Sequence, residues 1–356
     1  MFANQLIYWY LKNKRDLPWR KTKDPYLVWL SEIMLQQTRV AQGLPYFLRF
    51  TTNFETVFDL AKAEQDVVLK LWQGLGYYSR ARNLHFTAKY IADELQGIFP
   101  TTYKELLTLK GVGDYTASAI ASICFEEPVA VVDGNVYRVL ARYFGIKTPI
   151  NSSKGIKEFK ELAQTLLDTS QPGTYNQAIM DFGAMQCKPQ NPLCDSCPLS
   201  ASCIALEKKL IKELPVKEKK IKVKKRYFNY LVVVTDANKT LIQQRVDKGI
   251  WQGLYQFPLI ETSEPITEVP LIEHQIVETL FTKQTSVSLY NQKDIVHKLS
   301  HQHLYTKFWI VKMNQINEIN QINKNDFEIT SWKAINEFAV PVLIANFLND
   351  FFNKAL

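Results

Sequence analysis

The sequence predicts two domains of different fold class: a mostly helical N-terminal domain and a C-terminal domain that mixes helices and strands. The chain has 356 residues, which is enough for two domains that each bury a core. Apolar residues recur at helical spacing up to about residue 207, whereas strand-like runs of aromatic and β-branched residues begin at Tyr227. A basic segment lies between these two regions, which indicates the place of the linker.

The elements of each domain follow from these patterns. Helices are predicted where apolar residues return every three or four positions, with short connections that contain Gly or Pro: Tyr26–Leu35, Val67–Trp72 and Tyr103–Leu109. Strands and a closing helix are predicted in the C-terminal part: strands at Tyr227–Thr235, Leu241–Val246, Val287–Tyr290 and Leu304–Val311, and a helix at Ala339–Phe351.

The net charge of the chain is concentrated between Lys208 and Arg226. This segment holds nine Lys and one Arg against two Glu, a net charge of +8 that equals the charge of the whole chain. The remaining residues therefore sum to zero, which excludes a diffusely basic protein. We predict domains at residues 1–211 and 227–356, joined by a basic linker at 212–226. The basic segment could lie along DNA phosphates or be a solvated connection, and its composition leaves both open.

Four cysteines, Cys187, Cys194, Cys197 and Cys203, follow the spacing C-x6-C-x2-C-x5-C. Thiolates this close together can ligate one metal centre, and such ligands are typical of zinc sites and iron–sulfur clusters. Two disulfides would require an oxidising compartment, whereas the N-terminus shows neither the basic start nor the cleavage site of an export signal. The spacing alone leaves a 4Fe–4S cluster and a four-cysteine zinc site as alternatives.

Gly111 and Gly113 stand two residues apart, just before a helix rich in small residues. Glycine allows a tight turn that exposes consecutive backbone N–H groups, and the helix N-terminus adds partial positive charge, so a phosphate can dock there. The apolar residues Leu109 and Val112 match a helix–hairpin–helix, which is a sequence-independent DNA clamp. An ordinary corner between two helices is the alternative.

Two carboxylates lie in apolar surroundings. Glu32 interrupts an apolar helical stretch, where partial burial would raise its pKa and suit a general acid, although a paired structural Glu is the alternative. Asp133 follows an apolar run and precedes Gly134, which predicts a place at the edge of a core or a helix N-cap. The segment from Tyr77 to Arg82 could supply stacking surfaces and phosphate contacts, or core residues beside a solvated face.

Together these segments resemble the endonuclease III superfamily of base-excision DNA glycosylases, over residues 1 to about 207. The resemblance implies an all-helical domain with a helix–hairpin–helix and a 4Fe–4S cluster held by the loop at 187–203. Superfamily members that also cut the strand carry a nucleophilic Lys where this chain has Tyr115. Ser31–Thr38 and Leu17–Arg20 look like the matching segments of adenine glycosylases, so the MutY family is the best match.

The C-terminal half resembles the Nudix-like domain of the same family. Tyr230–Val246 and Gly249–Pro258 carry this likeness. No Glu-rich, magnesium-binding helix of the Nudix hydrolases follows Pro258, so nucleotide hydrolysis is not expected. Leu299, Ser300 and His301 match the family's Phe-Ser-His loop that senses 8-oxoguanine. Leu299 stands where the family has Phe. The hydrogen-bonding side chains of Ser300 and His301 are kept, whereas the contact in which the Phe ring wedges into the DNA is in question.

The resemblance also implies roles for individual residues. Glu32 would protonate adenine at N7, while an ionised Asp133 would stabilise the oxocarbenium-like transition state, oriented by Tyr115 and Asn135. Other residues would contact DNA: Arg20, Gln37, Tyr77, Gly111, Gly113, Ser300 and His301. The four cysteines would hold the 4Fe–4S cluster.

The expected protein is a monofunctional glycosylase that removes adenine opposite 8-oxoguanine or guanine in double-stranded DNA. We expect a monomer in the bacterial cytoplasm, associated with the nucleoid when on DNA and without a membrane segment. An endonuclease III-like enzyme that excises oxidised pyrimidines is one alternative, against which Tyr115 and residues 227–356 argue. A silent module that only binds the mispair is another, against which the joint presence of Glu32, Asp133, Tyr115 and Asn135 argues.

Overall fold

The computed structural model describes residues 2–218, 223–281, 285–314 and 327–355. Part of the predicted basic linker, residues 219–222, lies outside the described residues. The chain divides into two compact units: residues 2–62 with 83–218, and residues 63–82 with 223–355. The second unit thus takes in a short N-terminal segment, and the domain boundaries at 211 and 227 stay predictions.

The part of the chain before residue 208 is helical, as the sequence predicted. Its helices are α1 (Phe2–Asn13), α2 (Pro25–Leu35), α3 (Val40–Asn53), α4 (Val57–Lys62), α5 (Gln65–Trp72), α6 (Ser79–Asp93), α7 (Tyr103–Leu106), α8 (Asp114–Phe125), α9 (Gly134–Phe144), α10 (Ser153–Leu166), α11 (Pro172–Met185) and α12 (Ile204–Glu207). Short 3₁₀ turns occupy Pro18–Arg20 and Ser200–Ser202. Within the described ranges no helix is long and apolar enough to cross a membrane.

Local sequence explains where the helices that carry the candidate site begin and end. The Asp24 carboxylate accepts a hydrogen bond from the Tyr26 backbone N–H and caps α2, whose first residue is Pro25. Asp133 caps α9 in the same way, and Gly145 in a left-handed conformation ends it. The helix predicted to reach Leu109 ends at Leu106, because the following residues form the turn that leads into α8.

The core of the first unit holds α2, α8, α9 and α11 in fixed positions. α11 packs against α1, α8 and α9, and α2 packs against α8 and α3. Trp29, Phe50, Phe159 and Phe182 are fully buried among these helices. Each such side chain stabilises the fold by about 1.5–3 kcal/mol. The elements that carry the candidate site are therefore anchored by large apolar side chains.

The second unit combines α5 and the start of α6 with a mixed domain, as the sequence predicted for the C-terminal part. Its strands are β1 (Lys224–Thr235), β2 (Lys239–Gln244), β3 (Tyr255–Gln256), β4 (Leu259–Thr262), β5 (Ser286–Leu289), β6 (Ile295–Lys298), β7 (Gln302–Met313) and β8 (Glu328–Ser331). Its other helices are α13 (Glu268–Ile272), α14 (Gln275–Leu280) and α15 (Val342–Ala355), with a 3₁₀ turn at Ala334–Glu337.

The strands form two sheets. The larger has the order β4-β1-β7-β5 with β6 also paired to β7, and the smaller has the order β3-β2-β8. β1 and β7 are parallel from the pair Lys224–Gln302 to the pair Thr235–Met313, while the other pairs are antiparallel. β1 thus begins three residues before the predicted strand, because its first residues find partners on β7.

Helices cover the larger sheet on both faces. α15 stacks Phe347 on Phe308 with ring centroids 4.0 Å apart. An apolar cluster lies between the opposite face and α13–α14: Leu231, Val233, Leu241, Ile260, Leu271, Val277, Leu280, Phe281, Trp309, Val311 and Met313. α15 begins at Val342 rather than at the predicted Ala339, because Pro341 cannot lie inside a helix.

Candidate active site and cysteine loop

A cavity of about 360 Å³ in the first unit brings together residues from distant parts of the chain. It is lined by side chains from α2, α8, α9, α11 and the 3₁₀ turn, among them five residues singled out from the sequence: Arg20, Glu32, Tyr115, Asp133 and Asn135. These residues were selected from four separate segments. The fold therefore places both candidate catalytic carboxylates at one cavity.

Glu32 is buried, with 8% of its surface exposed. The Tyr115 hydroxyl donates a hydrogen bond to its Oε2 at 2.7 Å and lies 3.3 Å from Met180 Sδ. Burial raises the pKa of Glu32 to about 6, while the Tyr115 hydrogen bond and the charge of Arg20 oppose this rise. A substantial fraction of this carboxyl is therefore protonated just below neutral pH.

Asp133 is held by three hydrogen bonds at the start of α9. Its Oδ1 accepts from the backbone N–H groups of Asn135 at 2.9 Å and Val136 at 2.8 Å, and its Oδ2 accepts from Asn135 Nδ2 at 2.7 Å. Burial raises the pKa of Asp133, and these three donors oppose the rise. Asp133 thus caps α9, as one of the readings of the sequence predicted, and also lines the cavity.

A second buried carboxylate, Asp181 on α11, was not singled out from the sequence. Its side chain is 0% exposed and binds both Arg20 and Arg15, with Arg20 Nη2 donating to Oδ1 at 2.6 Å and Arg15 Nε at 3.1 Å. Burial opposes ionisation, but the two guanidinium groups outweigh it and lower the pKa of Asp181. Asp181 interrupts an apolar helical stretch just as Glu32 does, so the same signal was present in the sequence.

Arg138 on α9 connects the cavity to the cysteine loop. Its Nη2 donates to Asn135 Oδ1 at 2.8 Å, and its Nε donates to the Cys187 carbonyl at 2.7 Å. The same side chain also bonds the carbonyls of Gly134 and Gly183. Sequence reasoning missed Arg138, because a single Arg on a helix cannot be told from a solvated one without the fold.

The cysteine loop wraps around Arg142. This buried guanidinium donates to the carbonyls of Lys188 at 2.7 Å and Pro189 at 3.1 Å, and its Nη1 lies 3.5 Å from Cys187 Sγ. Burial, followed by the charges of Cys187 and Cys203, raises the pKa of the Cys194 thiol, so these thiols lie within Coulombic range of one another. In the described part of the chain, no three His, Cys, Asp or Glu side chains converge closely enough to hold a single metal ion.

The predicted hairpin before α8 has the geometry of a tight turn. Gly111 has φ +83°, and a Cβ added there would lie 2.7 Å from Asn83 Cβ, so only glycine fits without displacing Asn83. Gly113 is the N-cap of α8, and a Cβ at this position would meet nothing within 4 Å. The open approach to the helix N-terminus suits a phosphate.

The remaining predicted DNA contacts lie outside the cavity. Gln37 is exposed just after α2, with φ +55°. In the second unit Tyr77 is 46% exposed with φ +49°, and its hydroxyl is 2.9 Å from Ser300 Oγ. Ser300 and His301 are exposed at the turn between β6 and β7. The fold therefore brings Tyr77 and Ser300 together, a contact that no sequence pattern indicated.

Comparisons with known proteins place both parts of the chain in described families. Residues 30–165 match the HhH-GPD superfamily of base excision DNA repair proteins, and residues 229–350 match a NUDIX domain. Adenine DNA glycosylases are among the similar curated proteins. One from Buchnera aphidicola (subsp. Acyrthosiphon pisum) is 34% identical over 324 residues, which span 91% of this chain and 90% of that protein.

Two further relatives and two solved structures agree with this placement. An adenine DNA glycosylase from Buchnera aphidicola (subsp. Schizaphis graminum) is 40% identical over 74% of this chain and 76% of that protein. One from Homo sapiens is 44% identical over 58% of this chain and 40% of that protein. A thermostable thymine-DNA glycosylase matches with a TM-score of 0.54 and 32% identity over 58% of this chain and 95% of that one. An endonuclease III–DNA complex, at 22% identity, matches the fold with a TM-score of 0.51 over 58% and 94%.

Proposed function

The chain belongs to the adenine DNA glycosylase family, enzymes that act on N-glycosyl bonds in base excision repair, and we propose that its substrate is adenine mispaired with 8-oxoguanine or guanine in double-stranded DNA. The observation that carries this proposal is the pair of carboxylates, Glu32 and Asp133, at one cavity with different hydrogen-bonding environments. Hydrolysis of a glycosidic bond commonly needs one carboxyl that donates a proton and one that stays ionised.

Glu32 is the proposed general acid. Adenine must first leave the base stack, at a cost of about a few kcal/mol, to enter the cavity. Because adenine is a poor leaving group as an anion, a proton delivered to N7 makes it leave as a neutral base. The raised pKa of Glu32, about 6, keeps enough of this carboxyl protonated to act at neutral pH.

Asp133 is the proposed stabiliser of the cationic sugar. Its carboxylate accepts three hydrogen bonds whereas Glu32 accepts one from Tyr115, so ionisation is favoured at Asp133 over Glu32. The ionised Asp133 faces the developing positive charge or bonds to it transiently, and water then completes the reaction. Tyr115 replaces the Lys of strand-cutting relatives, so the product is an abasic site in an uncut strand.

Arg20 and Asp181 set the charge of the cavity wall. The Arg20 guanidinium favours the ionised form of Glu32, which works against proton donation. Asp181 binds Arg20 and Arg15 together and offsets one of their two positive charges. Asp181 therefore allows Arg20 to remain at the cavity, where it can hydrogen-bond to the extruded adenine, without removing the proton that Glu32 must donate.

The four cysteines are the proposed ligands of a 4Fe–4S cluster, with a four-cysteine zinc site as the alternative. Their donor chemistry fits both groups. Thiolates that share one zinc ion converge on it at about 2.3 Å each, whereas thiolates that bind four different irons remain farther apart. The four thiols lie within Coulombic range of one another, which fits ligands of one shared centre, and the resemblance to the endonuclease III superfamily favours the cluster. When bound, the cluster would cross-link the loop that Arg138 and Arg142 join to α9.

Lesion recognition is assigned to the second unit. Ser300 and His301 are exposed at a strand turn, where their side chains can hydrogen-bond to a purine opposite the adenine. The Tyr77 ring lies beside Ser300, where it could wedge into the duplex. We propose that a monomer binds the duplex, with Gln37 as a further contact and the glycines of the hairpin at a phosphate.

Cleavage of a labelled duplex with adenine opposite 8-oxoguanine tests the proposed function. Under single-turnover conditions the wild-type protein should release adenine, so that strand cutting appears only after hot alkali. Asp133→Asn should lower this rate by at least about 10³-fold, because it removes the charge that stabilises the transition state. The matched control is Asp93→Asn, an exposed Asp at the end of α6, which should keep the wild-type rate.

The other outcomes of this experiment each contradict the proposal. Cutting without alkali would identify a strand-cutting lyase and would show that the argument from Tyr115 is wrong. Tight binding without excision would identify a silent module that only senses the mispair. Equal excision rates for the Asp133→Asn and Asp93→Asn variants would show that Asp133 is not a catalytic residue.

A further inference from the structure

One face of the larger sheet carries cationic and aromatic side chains next to the turn that holds Ser300. Residues directly opposite one another on paired strands present their side chains on the same face. His303 lies opposite both Lys225 and Lys298, and two residues farther along Tyr305 lies opposite both Tyr227 and Val296. We call these six residues the Lys–Tyr face: Lys225, Lys298, His303, Tyr227, Tyr305 and Val296.

The Lys–Tyr face is not covered by the helices that pack on the rest of that side of the sheet. α13 and α14 cover the same face of β1 farther along, at Leu231 and Val233. At the other end Val296 is 42% exposed and both lysines are exposed. The rings of Tyr227 and Tyr305 stack with centroids 5.3 Å apart, and Lys225 Nζ lies 5.8 Å from the Tyr305 centroid.

Every titratable charged side chain among these six residues is basic. The sequences of β1, β6 and β7 contain no Asp or Glu over their full lengths. Glu261 on the neighbouring β4 pairs with Arg226, and Arg226 points to the opposite side from Lys225 because side chains alternate along a strand. Lysines without a carboxylate on their own strands, beside flat phenol rings, complement a sugar–phosphate backbone.

The position of this face connects it to the proposed lesion contact. Lys298 and His303 stand two residues before Ser300 and two residues after His301, and β-strands rise about 3.3 Å per residue. The cationic row therefore lies about 7–10 Å from the turn, which equals two or three nucleotides at about 3.4 Å each. DNA seated on Ser300 would pass over this row before leaving the protein.

We propose that the Lys–Tyr face binds the sugar–phosphate backbone of DNA within about three nucleotides of the base that Ser300 and His301 contact. The lysines pair with phosphates, and the two tyrosines offer their hydroxyl groups and ring surfaces to the backbone. This inference rests on the proposed function, because the duplex must be seated at the turn between β6 and β7.

The salt dependence of binding tests this contact in the full-length protein. An Asp133→Asn background prevents excision, and equilibrium binding to a long duplex with adenine opposite 8-oxoguanine is measured from 50 to 200 mM salt. Lys225→Gln with Lys298→Gln should make the slope of log affinity against log salt shallower by about 1.8, since each lost phosphate contact removes about 0.9. The control Lys239→Gln with Lys333→Gln, two exposed lysines elsewhere in the second unit, should leave the slope unchanged.

Shortened duplexes locate the contact. Duplexes that end one base pair beyond the lesion, on one side or the other, are bound by the same variants. One of these two shortened duplexes should already give the shallower salt slope when the protein keeps Lys225 and Lys298. Substitution of the two lysines should then leave that slope unchanged. An unchanged slope on the long duplex would overturn the inference, as would an affinity loss without a slope change or an equal change in the control.

This experiment separates the inference from the proposed function. Adenine excision is measured with Asp133 present and the lysines intact. A shallower slope in the lysine variant together with no excision would leave the DNA contact standing and contradict the glycosylase proposal. Normal excision with an unchanged slope would leave the glycosylase proposal standing and contradict the DNA contact.

Discussion

The cavity of the first unit and the turn between β6 and β7 of the second present polar groups in opposite ways. Glu32 is 8% exposed and accepts a hydrogen bond from Tyr115 on α8. Asp181 is fully buried and is bound by Arg15 and Arg20, which lie between α1 and α2. Ser300 and His301 are exposed, and Tyr77 beside them is 46% exposed. The cavity thus has its groups arranged before DNA arrives, whereas the turn has donors and acceptors that can exchange water for DNA.

This difference follows from what each region is proposed to do. Proton donation depends on a shifted pKa, and a shift as large as that of Glu32 needs a site from which water is excluded. Recognition of a base needs only hydrogen bonds that water can also make, each with a net contribution of about 0.5–1.5 kcal/mol. We therefore expect large effects from substitutions in the cavity and small, substrate-dependent effects at the turn.

The largest effect in this comparison is expected for Glu32→Gln. Glutamine keeps the size of the side chain but cannot donate an acidic proton, so the single-turnover excision rate should fall by about 10²–10⁴-fold. In the wild-type protein the rate should decline as pH rises above about 6, because Glu32 then loses its proton. The measurement is the rate between pH 5 and 9 for both proteins.

The pH profile separates catalysis from structure in this experiment. The Glu32→Gln variant should retain its affinity for the mispaired duplex and lose the decline above pH 6. Glu126→Gln, at a half-exposed position just after α8, is the control and should keep both rate and profile. A variant of Glu32 that keeps the wild-type decline would show that another group donates the proton.

Asp181→Asn should have an intermediate effect on the excision rate, and it tests whether the buried charge of Asp181 influences the pKa of Glu32. Without the Asp181 charge, Arg20 and Arg15 would favour the ionised form of Glu32, so the pKa of Glu32 should fall. The decline in rate should then begin at lower pH, and a shift of one pH unit reduces the rate at pH 7.5 by about tenfold. The measurement is again the single-turnover pH profile.

A structural defect would give a different result. Breaking a buried ion pair can cost about 3–5 kcal/mol of stability, so thermal unfolding is measured alongside. Asp181→Glu restores the charge and should return the profile toward that of the wild type. A uniform loss of rate at every pH, with no shift of the profile, would mean that Asp181 acts only on stability.

The sequence shows the buried carboxylates more clearly than it shows their partners, for a physical reason. A carboxylate such as Glu32 in an apolar helix is visible as a break in periodicity, and Asp181 shows the same break. Asp181 was missed because its role depends on Arg15 and Arg20, which lie more than 150 residues away along the chain. The link from Arg138 to the cysteine loop likewise depends on tertiary packing.

The prediction of helices and strands from the sequence has the same limit, because it detects only local patterns. Long elements such as α2 and β7 were predicted within a few residues, because periodicity accumulates over their length. The short strands β3, β4, β6 and β8 were not predicted, since two to four residues show little alternation, although β5, which is equally short, was predicted within one residue. β6 is one of these, and without it the Lys–Tyr face could not be assembled from the sequence.

The smallest effect is expected for Ser300→Ala, and it tests the turn against the cavity. Loss of one hydroxyl should weaken the preference for adenine opposite 8-oxoguanine over adenine opposite guanine by about 2–12-fold, the range of a single hydrogen bond. Tyr77→Phe is the matched variant, because it removes the other half of the Tyr77–Ser300 hydrogen bond and keeps the aromatic ring. If Ser300 reads the lesion, only Ser300→Ala should lower the preference, since Tyr77→Phe leaves the Ser300 hydroxyl in place. An equal loss of activity on both mispairs would instead indicate that Ser300 only stabilises the turn. The turn would then not differ from the cavity in the way proposed, because Ser300 would not recognise the lesion.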